Sequence, residues 1–284
     1  MSTNEGNALE RNPLEKSSLE QSSLEHKNYL KKLQRDRLST NLWRIGLLIG
    51  LLVVWEAAAQ LGWIDPFITS SPSRVVNTIL SLHQTGQLWV HIGVTVLETV
   101  GGFLLGTVLG IIIAVALWWS PKVCRIADPY LVVLNSLPKV ALGPIIIVWI
   151  GAGVGAILTM ALLISVVVTI MNMLAGFLAV SEMKMLLMRS FGASRLQILQ
   201  KVVLPQSIPT IISTLKINVG MSWVGVITGE FLVAQKGIGY LIVYGGQVFK
   251  LDLVMAGVVV LAIAAALMYI AVSKLEAFYL RTRP

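Results

Sequence analysis

The chain has 284 residues, of which 56% are hydrophobic and 13% are charged, against roughly 25% charged residues in an ordinary soluble domain. A water-soluble fold of this length cannot bury so much apolar surface, so the composition excludes a soluble protein. The formal net charge of +8 would suit a nucleic-acid partner, but the basic residues lie between long apolar runs and form no single basic face, which excludes nucleic acid.

Six apolar runs are each close to the roughly 20 residues that a helix needs to cross a bilayer. They lie at about 42–62, 91–119, 128–150, 155–180, 207–233 and 251–273. The sequence therefore predicts an all-α integral membrane protein with six transmembrane helices. The single cysteine, Cys124, excludes an intrachain disulfide and a cysteine-based metal cluster, and no metal or cofactor is expected in this chain.

The distribution of lysine and arginine predicts which side of the membrane each connecting segment occupies, because short cytoplasmic loops retain these residues. Most of the 22 Lys and Arg lie in 1–44, 120–127, 181–206 and 274–284. The alternate connecting segments hold only Arg74, Lys236 and Lys250. The pattern predicts that both termini are cytoplasmic.

The N-terminal segment 1–41 repeats a Leu-Glu pair every five residues, from Leu9-Glu10 to Leu24-Glu25. This period fits neither the helical repeat nor the strand repeat, so no single face collects the leucines. We expect a disordered or loosely helical cytoplasmic tail, with a regulatory or docking segment as the alternative. The membrane domain then occupies 42–284.

Glycine and proline mark two of the spans. Gly102, Gly106 and Gly110 form one flat face of the second span, which lets another helix backbone approach closely. In the third span, Pro138 and Pro144 remove backbone donors. We expect the third helix to open there, as is tolerated in a membrane where protein or a water-filled cavity covers the backbone.

Ionisable side chains within the spans are few, and a charged one at the bilayer centre costs about 2.5–3.5 kcal/mol. We expect them to face the bundle interior, a cavity or an interface. The candidates for the translocation pathway or a gate are Glu98, Lys139, Asn172, Lys216 and Glu230. A structural role is the alternative for each: the lysine stems can reach the membrane surface, Asn172 can hydrogen-bond across helices, and Glu98 can pair with a cation within the bundle.

The segment between the fourth and fifth spans, 181–206, is the most informative part of the sequence. Gly192 suits a left-handed helix cap, and Ser194 with Gln197 has the spacing of a capping box. We expect Leu204-Pro205 to end the second short helix and Pro209 to begin the fifth span. The result is a helical elbow that protrudes into the cytoplasm.

This elbow resembles the coupling loop of bacterial ABC importer permeases. Gly192 is followed, after nine residues, by Val202-Val203-Leu204-Pro205, which matches the most diagnostic motif of that loop. Further segments resemble the nitrate, sulfonate and taurine permease subfamily, namely 71–73, 137–139, 149–151, 229–231 and 237–241. The resemblance runs from about Leu42 to the C-terminus. One departure is that Leu186-Leu187-Met188 replaces the Glu-Ala-Ala that opens the loop in the family.

The resemblance implies a type I ABC importer permease fold in a multi-pass protein of the bacterial plasma membrane. It also implies a second permease chain, expected to be identical, two copies of an ABC ATPase that bind ATP and Mg, and an extracytoplasmic substrate-binding protein or lipoprotein. The chain itself is then not an enzyme. The residues expected to couple it to the ATPase are Arg189, Phe191, Gly192, Ala193, Ser194, Arg195, Leu196, Leu199, Leu204 and Pro205. We expect Phe191, Leu196 and Leu199 to pack into an ATPase groove.

The transported solute is open between two classes. The subfamily implies a small anion of the sulfonate, nitrate or taurine type. A carboxylate at Glu98 would repel an anion by about 4 kcal/mol at 4 Å and an effective dielectric constant of 20. Glu98, the 139–144 segment and the 186–193 segment look closer to permeases for the thiamine pyrimidine precursor and related aromatic compounds.

Two other classes of protein compete with the importer. A membrane enzyme lacks support because the histidines form no His-Glu-x-x-His pair and the segment 220–224 lacks the last glycine of a Gly-x-Ser-x-Gly elbow. A secondary transporter or channel that is not coupled to ATP would need no elbow. Its halves would often be related as inverted repeats, and no convincing match between the halves is found.

Overall fold

The computed structural model of the protein describes residues 13–281, and the chain divides after Ile64 into two units. The first unit contains one helix, α1 (Pro13–Gln60), of which Leu38–Gln60 is long and apolar enough to cross a membrane. Helix α1 runs through most of the predicted tail, while residues 1–12 lie outside the described residues. Leucine, glutamate, lysine and glutamine have high helix propensity. A helix can therefore form here even though the leucine spacing gives it no apolar face.

The second unit is helical, and residues 65–281 contain no strand. Its helices are α2 (Pro66–Thr69), α3 (Pro72–Gln84), α4 (Gln87–Trp119), α5 (Pro121–Ser136), α6 (Gly143–Ile150), α7 (Val154–Leu178), α8 (Glu182–Ser190), α9 (Arg195–Ile198), α10 (Leu204–Gln206), α11 (Ile208–Val233), α12 (Ile238–Gln247) and α13 (Leu251–Arg281). A 3-10 turn covers Lys139–Leu142, and a π-helical turn covers Leu199–Val203. Helices α4, α7, α11 and most of α13 are each long and apolar enough to cross a membrane.

The third predicted span is a broken helix. Helix α5 begins at Pro121, before the predicted start at 128, and ends at Ser136. The chain then bends by 85° before Lys139–Ile150. Leu137 is extended, with ψ of 130°, because the residue before a proline is pushed out of the helical region. The predicted opening at Pro138 is therefore confirmed, and α5 with α6 can count as one broken span, the sixth in the described part of the chain.

Helix α7 packs against both α4 and α11. A Cβ atom on Gly102 would lie 2.7 Å from the Cβ of Ala161, and one on Gly110 would lie 2.5 Å from the Cβ of Thr169. Gly106 is equally close to Ser165. The three glycines thus form the contact face for α7, which confirms the packing surface that their spacing predicts. Close approach of this kind maximises van der Waals contact where lipid supplies no hydrophobic drive.

An ion pair joins α3 to the beginning of α13. Arg74 donates from Nε and Nη2 to Asp252 Oδ2 at 3.1 and 2.8 Å, and from Nη1 to the Pro66 carbonyl at 3.0 Å. The hydroxyl of Ser70, which is fully buried, donates to Asp252 Oδ1 at 2.7 Å. The Ser71 side chain caps α3. The short helices before α4 are therefore fixed to the last long helix by polar contacts.

Candidate coupling and translocation sites

The coupling loop, defined here as residues 181–206, is built from local helix signals. Gly192 has a φ of +76° after the end of α8, a conformation that glycine adopts without strain. Ser194 Oγ accepts from the Gln197 N–H at 3.3 Å, while Gln197 Oε1 accepts from the Ser194 N–H at 2.8 Å. The predicted glycine cap and capping box are both confirmed.

The second half of the loop differs from the prediction that Leu204-Pro205 ends a helix. The chain stays helical through α9, the π-helical turn Leu199–Val203 and α10. The Ser207 carbonyl then accepts from the Ile211 N–H at 2.8 Å as α11 begins. Proline lacks a donor and its ring collides with the carbonyl four residues earlier in a regular α-helix, and a π turn is one way to absorb such a mismatch.

The loop is anchored on one side and exposed on the other. Ile198 and Leu199 are buried in an apolar cluster with Phe177 of α7. Phe191 is 79% exposed and Leu196 is 50% exposed. Leu199 therefore packs within this chain, and of the three apolar side chains expected at an ATPase groove only Phe191 and Leu196 are available.

The remaining residues predicted to couple to the ATPase include both exposed and half-buried side chains. Arg189 and Ser194 are exposed, while Ala193, Leu204 and Pro205 are half-buried. Arg195 donates from Nη1 to the carbonyl oxygen of Trp119 at 2.7 Å. Because Trp119 is the last residue of α4, this bond ties the coupling loop to that end of α4.

Near the opposite end of α4, Glu230 of α11 stabilises the turn that leads into α12. Its side chain is 1% exposed. Glu230 Oε1 accepts from Thr95 Oγ1 at 2.7 Å, and Oε2 accepts from the Gly239 N–H at 2.6 Å in the first turn of α12. A Cβ atom on Gly239 would lie 2.7 Å from Oε2, so the carboxylate requires glycine there. A carboxylate at a helix N-terminus is stabilised by the free N–H groups and the helix dipole.

Two residues that sequence reasoning did not select complete this turn. The Gly237 N–H donates to His91 Nδ1 at 3.0 Å, and the His91 ring stacks on Tyr240. Thr95 Oγ1 also accepts from the Ile238 N–H at 2.7 Å. His91 and Thr95 share a face of α4 with Glu98, since their spacings of four and three residues match the helical repeat. That spacing is the signal by which the sequence could have revealed the cluster.

Glu98 lies beside this cluster and lines a cavity of about 360 Å³ with Lys236. The Glu98 side chain is 6% exposed, and its Oε2 is buried without a hydrogen-bond partner in the described residues. Its carboxyl group neighbours that of Glu230. The predicted pathway candidates Glu98 and Glu230 are thus brought together, but Glu230 is fully engaged by its own chain and only Glu98 also lines the cavity.

The other three pathway candidates lie apart from this cluster. Lys139, at the break in the third span, donates from Nζ to the Asn135 carbonyl at 3.0 Å. Lys216 forms an ion pair with Glu276 of α13. Asn172 is half-buried on α7, and no hydrogen bond joins its side chain to the rest of residues 13–281.

Asn218 forms a polar link within the core of packed helices α4, α7 and α11, here called the three-helix core. It is fully buried, and its Nδ2 donates to Thr107 Oγ1 at 3.0 Å and to Thr169 Oγ1 at 2.8 Å. These bonds join α11 to α4 and α7.

The core of packed apolar helices, the broken third span and the elbow define a multi-pass membrane permease with the type I ABC importer fold. Within residues 13–281, no group of three or more histidine, cysteine or acidic side chains is placed to hold a metal ion. The chain belongs to the family of binding-protein-dependent transport system inner membrane components, whose model matches residues 106–279. Members are non-catalytic membrane subunits of ABC transporters in the bacterial plasma membrane.

Individual relatives agree with this assignment. The taurine transport system permease protein TauC of Escherichia coli strain K12 is 29% identical over 237 residues, covering 82% of this chain and 86% of that protein. The formylaminopyrimidine transport permease protein ThiX of Halalkalibacterium halodurans is 27% identical over 226 residues, covering 80% and 90%. A solved bacterial ABC transporter involved in import of the acidic polysaccharide alginate superposes with a TM-score of 0.63 at 16% identity, covering 90% of this chain and 100% of that chain.

Proposed function

We propose that this chain and a second, identical copy form the pathway through which an importer moves a small solute by alternating access. Two ATPase subunits that bind ATP and Mg drive the cycle from the cytoplasm, and an extracytoplasmic binding protein or lipoprotein delivers the solute. Both termini and the coupling loop then lie in the cytoplasm, as the distribution of Lys and Arg predicts.

The observation that carries this proposal is the two-sided coupling loop. Phe191 and Leu196 are exposed apolar side chains on short, capped helices, a surface suited to a groove on a partner. Ile198 and Leu199 fix the base of the loop in the core of the permease. A partner that closes on the exposed side would therefore move the core as a rigid body, which is how domain closure is converted into alternating access.

Crosslinking tests the proposed joint. In a Cys124→Ser background, Phe191→Cys and Leu196→Cys should each crosslink to a co-expressed ATPase. Thr85→Cys serves as the matched control, because Thr85 is also exposed but lies at the end of α3. Absence of crosslinks at both loop positions would contradict the joint. Uptake that continues with a hydrolysis-deficient ATPase would contradict ATP coupling and favour a secondary transporter or channel.

Two solute classes are each favoured by a similar relative and by one charged residue at the cavity. Similarity to TauC favours a small anion of the sulfonate, nitrate or taurine type, for which Lys236 at the cavity would supply a positive charge. Glu98 in the same cavity, together with similarity to ThiX, favours an aromatic compound related to the thiamine pyrimidine. Stimulation of ATPase activity in the reconstituted complex by taurine, and not by a neutral pyrimidine, would select the first class. The reverse result would select the second.

A further inference from the structure

A cavity of about 410 Å³ opens where α4 ends, α5 begins and the coupling loop packs beneath them. Its two buried lining residues, Leu117 and Ile198, are both apolar. Its rim carries three arginines, Arg125, Arg189 and Arg195. The cavity therefore combines buried apolar side chains, here called the apolar floor (Leu117 and Ile198), with exposed arginines, here called the basic rim, and this combination suits an amphipathic anion.

The described cavity wall carries more arginines than acidic side chains, so its net charge is positive. Arg195 donates to the Trp119 carbonyl, whereas no hydrogen bond or ion pair joins the side chains of Arg125 and Arg189 to the rest of residues 13–281. The one acidic side chain on the cavity wall is Glu182. Pro121, the first residue of α5, also lines the cavity, so the partial positive charge of that helix end adds to the guanidinium groups.

Two tryptophans indicate the level at which the cavity lies in the membrane. Trp118 and Trp119 end a helix long enough to cross a membrane, and both line the cavity. Tryptophan concentrates at the boundary between lipid tails and water. A cavity lined by these two tryptophans therefore lies where lipid headgroups meet the ends of the acyl chains.

We propose that this cavity binds an anionic phospholipid, with its phosphate between Arg125 and Arg189 and the start of its acyl chains on the apolar floor. Basic pockets between membrane helices recognise such headgroups by charge. Because the cavity contacts both the end of α4 and the coupling loop, the bound lipid would fill the space between them.

Native mass spectrometry of the full chain, with phosphatidylglycerol or phosphatidylcholine added, tests this site. The doubly substituted Arg125→Gln/Arg189→Gln chain should bind phosphatidylglycerol about tenfold to thirtyfold more weakly. Lys122→Gln removes a positive charge from the first turn of α5 but not from the cavity wall, and should leave binding within about twofold. Size-exclusion chromatography would show that each variant is folded.

Three results would overturn the proposal. The first is equal binding of phosphatidylcholine and phosphatidylglycerol, which would show that net charge is not recognised. The second is displacement of phosphatidylglycerol by millimolar inorganic phosphate, which would make the site one for a free anion. The third is loss of the bound lipid when the ATPase is co-purified, which would assign the arginines to the ATPase interface instead.

Discussion

Glu98 and Glu230 are two buried glutamates that share a side-chain hydrogen bond but differ in how many other partners they have. Glu230 accepts from Thr95 and Gly239 through its two oxygens. Glu98 keeps one buried oxygen without a partner in the described residues. Replacing a buried group costs more when several partners lose a hydrogen bond than when few do. We therefore propose a structural role for Glu230, while Glu98, which also lines the cavity, stays the candidate for contact with a solute.

Replacement of each glutamate by glutamine should separate these roles. Glu230→Gln substitutes an NH2 group for one of two accepting oxygens, so either Gly239 N–H or Thr95 Oγ1 loses its acceptor. We expect a loss of about 1–3 kcal/mol of stability, measured as a lower unfolding temperature in detergent. Glu98→Gln is the matched control and should change that temperature much less. An equal decrease in both variants would contradict the assignment.

For single residues, the sequence predicts burial but not the hydrogen-bond or ion-pair partner. The positions of Glu98 and Glu230 in apolar runs correctly predict that both are buried. The sequence does not distinguish a gate from a helix cap at Glu230, because the deciding contacts include Thr95, which is 135 residues away in the chain. Lys216 illustrates the same limit, since its partner Glu276 lies on another helix. Long-range pairings of this kind are fixed by the packing of helices.

Among the helices, α7 and α11 approach each other at glycine. A Cβ atom on Gly225 would lie 2.5 Å from the Cα of Ala161, and one on Gly229 would lie 2.8 Å from the Cα of Ile157. These neighbours are backbone atoms, which cannot move as the end of a flexible side chain can. The contact between α7 and α11 therefore depends on the absence of side chains at both positions.

The addition of a single methyl group at Gly225 tests this contact. Gly225→Ala should destabilise the permease by about 1–3 kcal/mol, because overpacking forces the backbones apart. Gly220→Ala on the same helix has no atom within 4 Å of the added Cβ, and alanine favours helix over glycine. That control should be neutral or slightly stabilising in a thermal unfolding assay. If both substitutions had the same effect, the close approach of α7 and α11 would not limit stability.

The elements are predictable to the extent that their signals are local. The glycine cap and the capping box of the coupling loop involve neighbouring residues, and both are present as the sequence indicates. Pro138 correctly marks the break in the third span, but the 85° bend depends on how α6 packs on α7. The π turn at Leu199–Val203 has no simple local signal, because Pro205 indicates only that a regular α-helix is disturbed.

Over the whole molecule, α4 connects the coupling loop to the cluster around Glu230. Its end at Trp119 is held by Arg195 of the loop, and its other end carries His91 and Thr95, which hold the turn before α12. A helix of this length spans about 50 Å. One rigid element thus contacts both the proposed ATPase joint and the cavity beside Glu98.

Loss of the Arg195 contact should weaken the link between hydrolysis and transport. We expect Arg195→Ala to lower ATP-driven uptake by about tenfold, equivalent to about 1.4 kcal/mol for one charge-assisted hydrogen bond, while ATPase binding persists. Lys122→Ala removes a positive charge from the first turn of α5, off the cavity wall and without a hydrogen bond to α4 in the described residues, and is the control. The ratio of solute transported to ATP hydrolysed in proteoliposomes measures the effect. An unchanged ratio for Arg195→Ala would contradict a coupling role for this bond.

The π turn has a consequence for how the coupling loop is aimed. Helices α9 to α11 succeed one another almost without interruption, and each residue added to an α-helix rotates the remainder of that helix by about 100°. The extra residue in Leu199–Val203 therefore sets the orientation of Leu196 about the helix axis, relative to Asn218 and the core of α4, α7 and α11. The direction of the loop is encoded in the number of residues as much as in their identity, so this stretch is one where substitution is safer than insertion or deletion.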